Sequence, residues 1–215
     1  MTYLEIVNKV LIRLREDTVT SVNSTPYSQL VGEFVNDAVR QVEDSWDWSA
    51  LRSTVTATTQ EGIFSYILTG SGNGSKMLDV INDTSNHFMD YKPQTWFDKV
   101  YLISPVQTGT PRDYTYNALD ENGDTVVDVY PIPDKAYLLR FNMVLRAGEL
   151  VNDADKIKTP TAPIIHLAQA MAVRERGESG AQSASELFYT AERTLSDAIS
   201  LDAAKHPEET VFVVR

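Results

Sequence analysis

Few residues in this chain have the spacing that chemistry needs, and each has a structural reading beside the chemical one. Gly70-Ser-Gly-Asn-Gly-Ser-Lys76 has the composition of a phosphate-cradling loop. A nucleotide-binding loop that began at Gly70 would need glycine at position 75, directly before the lysine, and Ser75 stands there. The same serine breaks the G-x-G-x-x-G spacing of dinucleotide-binding turns. The stretch therefore reads as a loop between strands. Asp120-Glu-Asn-Gly-Asp124 has the look of a calcium loop, but its glycine is fourth where an EF-hand has it sixth, and a strand follows instead of a helix. Asn122-Gly123 is better read as a hairpin turn. Weak cation binding by these carboxylates, or by Asp153 and Asp155, stays open.

The three histidines, His87, His166 and His206, show no metal-ligand spacing. His166 falls beside the apolar stripe of a helix, as a satisfied surface or interface histidine does. The chain has no cysteine, which excludes disulfides and Cys-ligated zinc. No serine sits in a G-x-S-x-G turn. Carboxylate pairs carry no information in a chain this acidic. Asn23, Asn73 and Asn82 begin glycosylation sequons that read as chance matches. Trp96, Tyr101, Tyr114, Tyr116 and Tyr130 have the chemistry to stack on sugars, yet they spread over separate elements and suit a core equally well. The expectation is no catalytic residue, no cofactor and no metal.

Around these residues the composition is that of an ordinary globular chain. Of 215 residues, 42% are hydrophobic, enough for one core or two small ones. No apolar run reaches the roughly 18–20 residues that span a bilayer. The opening Met-Thr-Tyr-Leu-Glu-Ile lacks a basic region ahead of an apolar one, so no secretory signal is expected. Nineteen basic against 30 acidic residues give a net charge of −11, the wrong sign for a protein that reads nucleic acid through a basic footprint. That charge serves solubility. In a ring around DNA, it would also make a wall that repels phosphate.

Helices are signalled at both ends of the chain. Thr2-Tyr-Leu-Glu5 fits a capping box, followed by Ile6, Val7, Val10, Leu11 and Leu14 at helical spacing. Thr25-Pro26 opens a second helix with Leu30, Val31, Phe34, Val35, Ala38, Val39 and Val42 on one stripe, running to about Asp44. Trp46-Asp47-Trp48 follows, as a corner packed on the core or as an interface anchor. Beyond Pro160, Ile164, Ile165, Ala168, Met171 and Ala172 form a third stripe that stops at Gly177. A last helix starts in capping-box form at Ser179 or Ser183, with Ala184, Leu187, Phe188, Ala191, Leu195, Ala198 and Ile199 on its apolar face, and ends before Pro207.

Between them the pattern is β. Strands are expected over 53–59, 63–68, 77–81, 87–91, 113–119 and 125–130, with a short helix in 93–103. Val127, Val129 and Ile132 read as one strand stopped by prolines. Pro133-Asp134-Lys135 is the turn, and Tyr137–Arg146 the return strand of a hairpin. The fold class is α+β: a mixed helical bundle of N- and C-terminal helix pairs (1–48 and 160–206), a β-rich insertion (49–159) and an extended tail (207–215). In that tail Val211, Phe212, Val213 and Val214 are apolar on both strand faces. Such a segment needs a partner, either the chain's own sheet or strand addition to a neighbour.

The run Asp128-Val-Tyr-Pro-Ile-Pro-Asp134, a second strand, then Leu150, Asp153-Ala-Asp155, Pro160 and two helices resembles the head–tail connector adaptors of tailed bacteriophages, of the tail-tubular-A and head-completion type. Asn36-Asp37-Ala38-Val39, closed by Trp46-Asp47-Trp48, belongs to the same resemblance. It implies a structural virion protein made in the host cytoplasm and placed in the neck. Its partners would be the portal, tail or nozzle proteins and copies of itself in a ring, usually twelvefold. Duplex DNA would pass without being read, and no membrane is involved. Val211–Val214, Phe188, Trp46 and Trp48 are the expected assembly contacts. Other readings are a virion ring such as a tail terminator, or a carbohydrate-binding or hydrolytic module on the β region.

Overall fold

A computed structural model describes residues 1–103, 106–177 and 183–206. The fold is α+β, and the chain divides into two compact units. One comprises Met1–Ala50 and the chain from Ala147 onward; the other is Leu51–Arg146.

The first unit is helical. In α1 (Tyr3–Arg13) the Thr2 hydroxyl accepts from the Glu5 amide and the Glu5 carboxylate accepts from the Thr2 amide, closing the capping box. Ile6, Val7, Val10 and Leu11 are buried. Pro26 opens α2 (Pro26–Asp44), capped by the Thr25 hydroxyl. Gly32 is required where α2 meets α1: a Cβ there would lie 2.5 Å from the Tyr3 hydroxyl. The next helix of this unit, Thr161–Glu175, is buried on almost every side, from Pro163 and Ile164 round to Gln169, Ala170 and Val173. The stripe read from sequence was narrower, because α1, α2 and the last helix, Ala184–Ala203, all pack on this one. That last helix buries only Ala184, Ala191 and Asp202. Ser183 is its N-cap but makes no capping bond; its hydroxyl goes to Ser185.

Among the described residues the second unit is two four-stranded sheets, a two-stranded pair and a helix. Its elements are β1 (Arg52–Thr58), β2 (Ser65–Leu68), β3 (Lys76–Asn82), β4 (His87–Phe88), β5 (Asp90–Tyr91), α3 (Gln94–Ile103), β6 (Thr108–Gly109), β7 (Asp113–Leu119), β8 (Thr125–Tyr130), β9 (Ile132–Pro133) and β10 (Leu138–Val144). The two C-terminal helices above are therefore α4 and α5. One sheet has the order β1-β10-β3-β4 and the other β2-β8-β7-β5, while β6 pairs with β9. The core contains Val80, Leu139, Phe141 and Met143 from the first with Leu68, Tyr114, Val127 and Val129 from the second.

Three strand expectations are corrected. The 127–146 region is not a hairpin. β8 is already paired by β2 on one side and β7 on the other, so β10 crosses to the other sheet, between β1 and β3. The prolines do not end pairing, because proline lacks only the donor. Ile132 donates to the Gln107 carbonyl at 3.0 Å, and the Pro133 carbonyl accepts from Gly62 at 2.9 Å. The strand read over 87–91 is two, split at buried Met89: β4 joins β3, and β5 runs parallel to β7. The β7–β8 turn forms as expected. Gly123 takes φ +82, and Asp120 accepts the amides of Asn122 and Asp124.

Candidate functional site

The aspartates that sequence alone marks as candidates for chemistry hold the backbone. Asp124 accepts the amides of Gly70 and Gly72, each at 3.0 Å, which holds its carboxyl below the usual range and ties the glycine loop to the hairpin. Asp155 accepts the amides of Val151 and Asn152 and is likewise lowered. Asp153 accepts the Val22 amide at 2.9 Å. The main chain of this loop receives the start of α1, with Tyr3 donating to Asp155 and Leu4 to Asp153. Asn36, in α2, grips the loop at Leu150 with both ends of its amide: Oδ1 accepts the Leu150 amide and Nδ2 donates to its carbonyl, each at 3.1 Å. Residues 147–159, read from sequence as part of the β insertion, therefore belong with the helices, and the unit boundary falls at Ala147.

His166 faces Arg13, whose Nη1 lies 3.1 Å from its Nδ1 and also donates to Gln169. Burial, then the neighbouring guanidinium, lower its pKa. His87 Nε2 contacts the Pro111 carbonyl at 3.0 Å. Among the described residues no three metal-ligating side chains come together, and no helix is long and apolar enough to cross a membrane. The aromatics do not form one platform. Trp96, Phe97, Tyr101 and Tyr130 pack together around α3, while Tyr114 and Tyr116 pack with Tyr91. Tyr101 donates to the Val129 carbonyl, and burial raises its pKa.

The structure separates the expected assembly residues. Trp48 is 1% exposed, and its indole N–H donates to the Val42 carbonyl at 2.7 Å. It locks the corner after α2 and has no free face for a partner. Trp46 is half-buried. Phe188 is also half-buried, under the Arg174 guanidinium at 5.1 Å. It lines a cleft of about 210 Å³ with Val42, Pro163, Leu167, Ala191 and Leu195. Val211, Phe212, Val213 and Val214 lie outside the described residues.

Asp202 was not marked by sequence reading. It sits among apolar positions near the end of α5, and one of its two partners, Ser49, is 153 residues away. Its carboxylate accepts the Ser49 amide at 2.9 Å, the Ser49 hydroxyl at 2.6 Å and the Lys205 ammonium at 2.9 Å. Burial opposes the charge, but these donors outweigh it and hold the pKa at about 2, against an ordinary 3.8. A depressed carboxyl stabilises the fold above its unfolded pKa and loses that contribution as pH falls through the folded value. Asp202→Ala is expected to cost about 2 kcal/mol near neutral pH and to flatten the loss of stability between about pH 4 and pH 2. Denaturant unfolding of both proteins across that range checks it; equal acid sensitivity would remove Asp202 from the account.

Residues 1–209 match the family model described as SU10 adaptor protein. The chain belongs to the SU10 adaptor family. It is thus an adaptor-type structural protein of a bacteriophage. A search of curated proteins finds no match. The SU10 adaptor match takes in the residues of the Asn36–Leu150 grip, the Asp153–Asp155 loop and the Trp48 corner, all of which act here as scaffold.

Proposed function

We propose that this SU10 adaptor family protein forms a ring between the portal of a phage capsid and the tail, and lets duplex DNA pass. The observation that carries the reading is the family match over residues 1–209. The scaffold would be a bundle of N- and C-terminal helix pairs with the β-rich unit inserted between them. Phe188 at its cleft, half-buried Trp46 and the segment 211–214 are the subunit and partner contacts. Trp48 supports them from within.

The mechanism is assembly without turnover. Contacts too weak to hold two chains become stable when a portal ring presents many copies at once, because each later contact forms at high effective concentration. A net charge of −11 keeps free copies apart and gives DNA nothing to grip. The protein would sit in the neck of the virion, with portal below and tail or nozzle proteins above.

Electron microscopy of the purified chain mixed with isolated portal tests this. The expected result is an added ring on the portal and no binding of duplex DNA at physiological salt. Unchanged portal particles at saturating protein would overturn the reading.

A further inference from the structure

Among the described residues the outer edge of β1 in the β-rich unit is unpaired along its whole length, and we infer that this edge receives residues 210–215 of a neighbouring copy as an added strand. The inference rests on the ring reading above and names the contact between its subunits.

Length selects the edge. The two four-stranded sheets end in β1 and β4 and in β2 and β5. β4 and β5 have two residues each and β2 has four, whereas β1 has seven. β4 covers only Ile81 and Asn82 of β3, and β5 only Asp113 and Tyr114 of β7, so parts of those strands are also uncovered. Six extended residues cover about 20 Å, however, and among the described residues β1 alone is that long and unpaired over its full length.

The main chain of β1 is correctly poised. Leu145 donates to the Leu51 carbonyl and Thr59 to the Tyr137 carbonyl, both at 2.9 Å. These bonds put the odd-numbered residues of β1 on the β10 ladder, in a register that pairs Val55 with Phe141. The amides and carbonyls of Thr54, Thr56 and Thr58 therefore face away from β10. They have no backbone partner among the described residues, and all three threonines are exposed. Of the usual guards against strand addition β1 has a charge only at its first residue, Arg52; it has no lysine, no proline and no bulge in its pairing with β10.

The side chains also fit. Val55 and Ala57 pack on the core from one face of β1, and the three threonines line the other. A strand added here needs apolar residues on its core side and tolerates them beside the threonine methyls. Thr210-Val-Phe-Val-Val-Arg215 is β-prone in sequence, and as an added strand it would carry Val211 and Val213 on one face and Phe212 and Val214 on the other. Donor segment and acceptor edge are different surfaces, so the contact is head-to-tail, the kind that repeats around a ring.

The absence of cysteine makes the test clean. Cross-strand neighbours stand about 4.5–5.5 Å apart at Cα, within disulfide range. Full-length chains carrying Thr56→Cys with Val211→Cys, Phe212→Cys or Val213→Cys would be incorporated into virions and oxidised. The expected result is a ladder of disulfide-linked oligomers for the positions facing Thr56, and only dimers when two single-cysteine chains are mixed. A link within one chain would overturn the proposal in favour of self-docking. Virions that show the ring by electron microscopy but give no ladder would overturn it while leaving the ring reading intact. Virions lacking the protein would overturn both.

Discussion

Trp48→Ala is expected to destabilise the helical unit by about 3–5 kcal/mol, from the cavity left by an indole that is 1% exposed. The hydrogen bond is the smaller part. The Val42 carbonyl also accepts from the Ser45 amide and hydroxyl, so losing the Trp48 N–H does not leave it bare. Trp48→Phe should therefore cost only about 1–2 kcal/mol, since most of the buried ring area is kept and the carbonyl stays satisfied. Chemical denaturation of the two variants separates the contributions. If Phe cost as much as Ala, the bond to Val42 would outweigh packing. If both were neutral, Trp48 would not be the lock of this corner. The same experiment bears on function, because a residue without a free face should leave assembly intact wherever the variant is folded.

Local signals in the sequence were readable because the interactions that satisfy them are local. Thr2 and Glu5 cap α1 across three residues, Thr25-Pro26 starts α2, and Gly123 supplies the positive φ of the β7–β8 turn. Each needs only its neighbours in the chain. The path of β10 was not readable. Strand pairing depends on which edges are already occupied, and β8 had none left by the time the chain returned. The split at Met89 has the same origin, since one buried side chain sits where the strand changes sheets. The acidic loop was opaque for a different reason. Sequence left weak cation binding by Asp153 and Asp155 open and gave no sign of their backbone partners; Asp153 serves an amide 131 residues away. The residues that resemble the phage adaptors were legible as a pattern. That they act as scaffold became apparent only with their partners in place.

Asn36 gives the sharpest test of that scaffold, because simple hydrophobic bookkeeping predicts the opposite sign. Asn36→Leu is nearly isosteric and places an apolar side chain at a site only 8% exposed. Counting buried apolar area alone, the variant should gain about 1 kcal/mol or more. The structure predicts a loss. Leu150 is itself buried, and its amide and carbonyl both depend on the Asn36 side chain at 3.1 Å. Leucine leaves two main-chain groups without partners in an apolar setting, at about 1–3 kcal/mol each. The Tyr3 hydroxyl, 3.5 Å from Nδ2, loses a neighbour as well, and burial has already pushed its pKa up to about 12. The expected net effect is a loss of about 2–4 kcal/mol, together with faster amide exchange at Leu150 as the loop detaches from α2. Asn36→Asp keeps the acceptor for the Leu150 amide but removes the donor to its carbonyl and buries a charge, so it should be no better tolerated. A stabilised Asn36→Leu protein with unchanged exchange at Leu150 would mean that the loop is held by its aspartates alone.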